Sequence, residues 1–157
     1  MKRPGVVGDT WGSLTYSMKG QFTRFVQAQD DVYKEVTSEL KAGKKKEHWM
    51  WFIFPQIQGL GTSPNAQYYA LDSVQQAREY LHHPILGPRL VECARLMLGH
   101  TDKTATQILG TPDDVKLKSS MTLFALCGHE ETVFNEVLDA FYGGQRCRRT
   151  TSFGNLG

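Results

Sequence analysis

The spacing of hydrophobic residues along the chain predicts an all-α fold. Apolar side chains recur every three or four residues in most of the sequence, and this period places them on one face of a helix. The strongest stretch begins at Phe22, continues through Phe25, Val36 and Leu40, and ends at Gly43. Glycine is favoured just past the last turn of a helix. We therefore expect one multihelical domain of about seven or eight helices joined by mostly short connections.

Capping residues, prolines and glycines divide the rest of the chain into further helices. Thr104 and Gln107 have the spacing of a capping box, and Thr111-Pro112 is typical of a hydroxyl cap followed by proline at the first helical position. The predicted helices run from Ser63-Pro64 to Leu71, from Asp72 or Ser73 to His83, from Pro84 to Gly99, from Thr104 to Gly110, from Thr111-Pro112 to Gly128 and from Glu130 to Gly143-Gly144.

An aromatic segment, residues 47–56, is harder to assign from its pattern. Its residues favour strands, and a run this short does not distinguish a buried strand from a buried helix. A strand needs a partner, however, and no other segment alternates between apolar and polar residues. We therefore predict a buried helix that Pro55 brings to an end.

The two ends of the chain lack this periodicity. Residues 1–20 are expected to form a flexible extension unless Trp11 docks on the domain. Residues 21–144 are predicted to be the helical domain. Residues 145–157 form a basic tail, which we expect to be exposed.

Composition restricts the function classes. The chain has 157 residues, 40% of them hydrophobic and 22% charged, which is typical of a globular domain. A net charge of +2 gives no strong signal for nucleic-acid binding. No apolar run reaches the roughly 20 residues of a membrane span, and none follows the basic start as in a secretory signal. Three widely spaced cysteines indicate reduced thiols and a cytoplasmic protein.

Three stretches of the sequence resemble one known family. They are Arg24–Tyr33, His48–Gln56 and Pro112–Phe124. Over roughly residues 22–151 the chain is similar to the family catalogued as domain of unknown function 1810, which is sometimes labelled calpastatin. The resemblance implies an all-helical single domain and no particular activity. After Gly143-Gly144 the family often has an acidic residue and an apolar tail, whereas this chain has Cys147-Arg148.

Aromatic residues and a glycine turn are candidates for binding the ring of a ligand. Trp51 and Tyr69 offer faces on which a ring can stack. Gln56, Gly61 and Ser63 lie in or beside the turn between them, and glycine lets the backbone approach a ligand closely. Core packing of the aromatic residues and an ordinary structural turn remain the alternatives.

A row of donors is a candidate for binding an anion. Lys116, Ser119 and Ser120 share one side of a predicted helix through spacings of three and four residues. One ammonium and two hydroxyls suit a phosphate or a carboxylate. Arg89 is a second candidate anion contact. Close helix packing by the serines and solvation of the lysine remain open.

Asp30 and His48 are the candidate catalytic residues, as a carboxylate and an imidazole able to take part in acid–base chemistry. Asp30 has an equally good interpretation as a surface carboxylate. We predict neither a metal site nor another cofactor, because no His-x-x-x-His or Cys-x-x-Cys spacing occurs. Cys93 and Cys127 lie on apolar stripes and are expected to be core thiols.

These residues lead to two hypotheses about function. The first is binding of a small anionic ligand, a nucleotide or an ADP-ribose-like molecule, with possible metal-free hydrolysis of an N-glycosidic bond. The alternative is a non-catalytic protein-interaction module. The sequence does not indicate the oligomeric state.

Overall fold

The computed structural model describes residues 20–156, with side chains to residue 153. The N-terminal extension and Trp11 lie outside the described residues. The helices are α1 Thr23–Ala42, α2 Met50–Ile53, α3 Pro64–Tyr68, α4 Val74–His82, α5 Leu86–Leu98, α6 Ala105–Leu109, α7 Asp113–Ala125, α8 Val133–Tyr142 and α9 Arg148–Leu156. Between residues 20 and 156 the chain forms no β-strand, so the prediction of an all-α domain is confirmed.

Helices α5 and α7 lie at the centre of the fold. Helix α5 packs against α1, α2, α4 and α8, and α7 packs against α4, α6, α8 and α9. From Leu117 to Phe124 every side chain of α7 except Lys118 is buried. Because α7 is covered on nearly all sides, even its serines and threonine have little contact with water.

Several helices begin or end where capping residues in the sequence predict that they should. Gly43 caps α1 in the left-handed conformation, with a φ of 72°. Ser73 caps α4 by accepting a hydrogen bond from the Gln76 amide, and Thr104 and Gln107 form the predicted capping box. These predictions are confirmed. Caps can be predicted from sequence because they depend on residues only a few positions apart.

Two of the predicted helices are shorter than expected. Only Met50–Ile53 of the aromatic segment is helical, which leaves His48 exposed before it. Helix α3 ends at Tyr68 instead of Leu71, because Leu71 forms an isolated parallel bridge with Ile57. The Leu71 amide donates to the carbonyl of Gln56 at 2.9 Å, an interaction between distant residues that helical periodicity does not reveal.

The start of α7 also differs from the prediction. Pro112 is the N-cap and not the first helical residue, so α7 begins at Asp113. The Thr111 hydroxyl donates to the Asp114 carboxylate and does not cap the backbone. Helix α7 ends at Ala125 rather than Gly128, and Val115 in its first turn is exposed.

The expectation that the basic tail is exposed holds for Arg146, Arg148 and Arg149 but not for the whole segment. Residues 148–156 form α9, a ninth helix that packs on α7. Thr150 is fully buried, and Phe153 contacts the hydrophobic core. Among the helices of residues 20–156, none has both the length and the apolar character needed to span a membrane.

Candidate functional site

The short helix α2 carries the aromatic residues at the centre of the candidate site. Met50 and Ile53 are buried and anchor α2 against the core. Trp51 and Phe52, between them, are only partly buried. Tyr69 lies beside this pair, with its ring centroid 5.3 Å from that of Phe52. Burial raises the pKa of Tyr69, so its hydroxyl is protonated at neutral pH and can donate.

Helix α7 places a cation over the Trp51 ring. The Lys116 ammonium lies 5.0 Å from the ring centroid, within the range of a cation–π interaction. The side chain of Lys116 is 23% exposed, and its nearest carboxylate oxygen, Oδ1 of Asp113, is 3.6 Å away. That distance is long for a hydrogen bond, so Lys116 is held loosely by its own helix.

Asp113 is shared with a second lysine. Lys45, from the loop after α1, approaches Asp113 to 2.8 Å and is only 7% exposed. Its ammonium also lies 5.1 Å from the centroid of the Trp49 ring. One carboxylate therefore faces two ammonium groups, and the three side chains carry a net charge of about +1.

Two buried polar atoms, one on α2 and one on α7, have no hydrogen-bond partner among the described residues. They are Nε1 of Trp51 and Oγ of Ser120. Ser120 is fully buried and lies one helical turn after Lys116, on the same side of α7. Buried donors are paired in the great majority of folded proteins, so each of these two unpaired ones requires an explanation.

Ser119, the other predicted ligand-binding serine, has a structural role. Its hydroxyl lies 2.7 Å from that of Thr150 on α9, and both residues are buried. The hydroxyl is therefore occupied within the protein, unlike that of Ser120.

Arg89 lies in a network of polar contacts between α1 and α5. Its guanidinium approaches Asp30 at 2.9 Å and Gln29 at 3.3 Å, and it covers the Tyr33 ring at 4.7 Å. Gln29 donates to the Phe52 carbonyl at 2.7 Å, which connects this network to α2. Asp30 is 56% exposed and neutralises Arg89, so the pair has no charge left for a ligand.

Tyr33 completes this network. Burial, with added effects from Cys93 and Glu92, raises the pKa of Tyr33 well above its ordinary value. The hydroxyl is therefore protonated at neutral pH and donates to the Glu92 carboxylate.

The remaining predicted residues do not join either group of side chains. His48 is exposed in the loop before α2. The Ser63 hydroxyl accepts from the Ala66 amide as the cap of α3. Gly61 is needed for packing, since a Cβ there would lie 2.6 Å from that of Ala66. Gln56 contributes its backbone carbonyl to the pairing with Leu71.

Sequence reasoning missed the roles of Asp113 and Lys45. Their positions near helix ends indicate only charges that suit the helix dipole. The spacing of three residues between Asp113 and Lys116 could have indicated the first ion pair. The second joins residues 68 positions apart, and no local pattern predicts it.

No three His, Cys, Asp or Glu side chains of residues 20–153 are grouped so that they could hold a metal ion. Cys93 and Cys127 are buried, free thiols, as the sequence predicts. Burial raises the pKa of Cys93 to about 12 and that of Cys127 to about 11. Both are therefore protonated at neutral pH and are poor nucleophiles.

A family profile and a solved structure both match most of the chain. A profile of the family described as "Protein of unknown function (DUF1810)" matches residues 19–153. The chain belongs to the DUF1810 family. Its fold is similar to the crystal structure of the conserved hypothetical protein Rv1873 from Mycobacterium tuberculosis, with a TM-score of 0.85 and 46% identity. That match covers 87% of this chain and 97% of the other. No curated protein shows significant similarity to this chain.

Proposed function

We propose that this DUF1810 protein binds a small anionic ligand of the nucleotide or ADP-ribose class beside Trp51, Lys116 and Ser120. The main support is the pair of buried donors that lack a partner within the described part of the chain, the Trp51 indole N–H and the Ser120 hydroxyl. Leaving such groups unpaired costs about 1–3 kcal/mol each. An oxygen-rich ligand provides the acceptors that the protein lacks.

The charge of the site favours an anion. Lys45 and Lys116 share the single carboxylate of Asp113, and Lys45 makes the shorter contact. Lys116 is the more exposed of the two and is held more weakly, so it is free to turn toward a phosphate. A charge-assisted hydrogen bond from ammonium to phosphate is stronger than one between neutral groups.

The aromatic residues of the site suit a ligand that has a ring. Trp51 and Phe52 are partly buried, and Tyr69 packs edge to face against Tyr68 with 4.8 Å between centroids. Lys116 already covers one part of the Trp51 ring, so a ligand base would stack where the ammonium leaves the indole free. Base–aromatic stacking contributes about 1–3 kcal/mol per base.

The proposal covers binding and not hydrolysis. Asp30 is paired with Arg89 at 2.9 Å, and His48 is exposed in a separate loop. Neither shares a hydrogen bond with Trp51, Lys116 or Ser120. The free thiols at Cys93, Cys127 and Cys147 support a cytoplasmic location, which is part of the same proposal.

A thermal-shift series tests the proposal with AMP, ADP, ADP-ribose and ribose 5-phosphate as probes. A probe present at 100 times its Kd should stabilise the folded protein by about 2.7 kcal/mol. Lys116→Ala should remove the shift, and Trp51→Phe should weaken binding because it keeps a ring and loses the indole N–H.

Lys118→Ala is the matched control. Lys118 is on the same helix two residues later, faces another side, and lies 6.0 Å from the centroid of the Tyr142 ring. Its removal should leave the probe response intact. If no probe shifts the melting temperature, or if both lysine variants respond as the wild type does, the proposal fails and the protein-interaction alternative is favoured.

A further inference from the structure

The C-terminal helix α9 lies between α7 and the loop that follows α2. Thr150 bonds Ser119 of α7, and Arg149 donates to the Gly59 carbonyl at 3.2 Å. Gly59 has a φ of 101°, and a Cβ added there would lie 3.4 Å from the Phe153 ring. Helix α9 thus contacts two of the segments that the sequence assigned to the ligand site, the glycine turn and the lysine–serine row.

The contact of α9 and its preceding residue with α7 includes two hydrogen bonds, in addition to the packing of Phe153 against the core. Besides the hydroxyl pair of Ser119 and Thr150, the Cys147 amide donates to the Thr122 hydroxyl at 3.0 Å. Water can replace both hydrogen bonds when the two helices separate, so separation leaves no polar group unpaired. This polar part of the contact opens at a smaller cost than an apolar contact, which loses buried hydrophobic area as Phe153 would.

Helix α9 has little tendency to persist by itself. The segment 148–156 contains no acidic residue, and Arg148 and Arg149 lie in the first turn. Positive charges there oppose the positive end of the helix dipole. Thr150, Thr151 and Gly154 have low helix propensity. Nine residues with these properties need docking to stay helical.

Access to Ser120 requires a part of the protein to move. Its hydroxyl is unpartnered within the described residues and fully buried, so a ligand does not reach it in this conformation. Lys116, Ser119 and Ser120 share one side of α7, and α9 covers that side at Ser119. Helix α9 is the element that packs at the neighbouring position, Ser119, and its departure would uncover this side of α7.

We propose that α9 is a detachable cover, which separates from α7 and Gly59 to admit the anionic ligand to Ser120. The inference rests on the proposed function for the identity of what is admitted. The opening itself belongs to the free protein and is measured without any ligand.

Thiol labelling measures this opening directly. The variant S120C/C147S introduces a thiol at the buried position and removes the partly exposed native one. Adding R149A/T150A breaks the contacts of α9 with Gly59 and Ser119. We expect methyl methanethiosulfonate to label the introduced thiol at least tenfold faster in the second protein. Cys93 and Cys127, which are buried in both, are internal controls and should keep their slow rates.

Equal labelling rates in the two proteins would overturn the proposal. A similar increase in the labelling rates of Cys93 and Cys127 would also overturn it, because the loss of α9 contacts would then have unfolded the whole domain.

Amide hydrogen exchange on the unmodified protein provides a second test that needs no variant. We expect the amides of α9 to exchange at least tenfold faster than those of α5 and α7. Exchange of α9 at the rate of the central helices would show that α9 opens only with global unfolding and would contradict the proposal. Neither test uses a nucleotide, so failure of the proposed function would not alter their outcome.

Discussion

Trp49 and Trp51 are two residues apart in the sequence, and each lies against a lysine. The two tryptophan–lysine pairs differ in how many of their polar atoms have hydrogen-bond partners. Trp49 is buried, and its indole N–H donates to Glu39 at 2.8 Å. Its lysine, Lys45, is firmly paired with Asp113. Trp51 is partly buried, its indole N–H has no partner in the described chain, and Lys116 is 3.6 Å from the same aspartate.

This difference distinguishes a structural contact from a candidate site. The two pairs have the same chemistry and nearly the same cation–ring distance, 5.1 Å for Trp49 and 5.0 Å for Trp51. In the first pair a ligand would have to break existing hydrogen bonds. In the second pair it would add bonds to groups that have none. The unpaired donors, and not the aromatic residues alone, are what point to function.

The largest expected effect on stability comes from removing Trp49, the tryptophan whose indole N–H has a hydrogen-bond partner. Trp49→Ala should lower the free energy of unfolding by about 3–5 kcal/mol, because it leaves a cavity and removes the hydrogen bond to Glu39. Trp51→Ala should cost less than half as much, since part of its ring is already in water. Urea denaturation of both variants measures the difference. Equal losses would show that the two tryptophans have the same structural role.

The shared aspartate gives the next largest effect. Asp113→Asn should destabilise the protein by about 2–3 kcal/mol, because it leaves the buried Lys45 ammonium without its counter-charge. Lys45→Met in the same protein should recover most of the loss by removing that charge. If the double variant is as unstable as Asp113→Asn, the salt bridge does not explain the effect. Chemical denaturation curves for the three proteins decide between these outcomes.

Local interactions in the sequence explain why most of the fold was predictable. The end of α1 at Gly43 and the capping box of Thr104 and Gln107 each depend on a few neighbouring residues. Helix α9 was missed because its residues are poor helix formers and its stability comes from docking on Ser119 and Gly59. Intrinsic propensity gives no information about such tertiary contacts.

The candidate site was predictable only in part for the same reason. Helical spacing placed Lys116 and Ser120 on one side of α7, and the structure brings Trp51 to that lysine. Spacing alone did not show that Ser119 bonds Thr150 while Ser120 bonds nothing within the described residues. Which of two adjacent serines is satisfied depends on the helix that packs against them.

Substituting the two adjacent serines should have smaller effects on the free energy of unfolding, and the two effects should have opposite signs. Ser119→Ala should cost about 1 kcal/mol, because it leaves the buried Thr150 hydroxyl unpaired. Ser120→Ala should leave stability unchanged or raise it slightly, because it removes an unpaired buried group. Thermal and urea unfolding measure the stability of the two variants, which are matched because both replace a serine of α7 by alanine. A loss of stability in Ser120→Ala would mean that its hydroxyl has a partner within the protein.

The smallest expected effect is the pH dependence of stability that arises from Glu39, the hydrogen-bond partner of Trp49. Burial tends to raise the pKa of Glu39, but hydrogen bonds from the Lys46 amide, the Trp49 indole and the Glu47 amide outweigh it, and the pKa is lowered from 4.5. A carboxylate with a lowered pKa in the folded state stabilises the protein above its unfolded pKa. This stabilisation is lost as the pH falls below 4.5 and through the folded pKa.

Glu39→Gln should therefore be less stable than the wild type at pH 7, and the difference between them should shrink as the pH falls below 4.5 and through the lowered pKa of Glu39. The Gln side chain still accepts hydrogen bonds but carries no charge, so the change isolates the ionised form. Urea denaturation at each pH measures both proteins. Trp51→Phe is the control from the other pair, since the Trp51 indole N–H donates to no carboxylate within residues 20–153, and the stability of this variant relative to the wild type should not vary over this range. A constant difference for Glu39→Gln would mean that the carboxylate does not hold Trp49 through its charge, and the two tryptophans would then differ in burial alone.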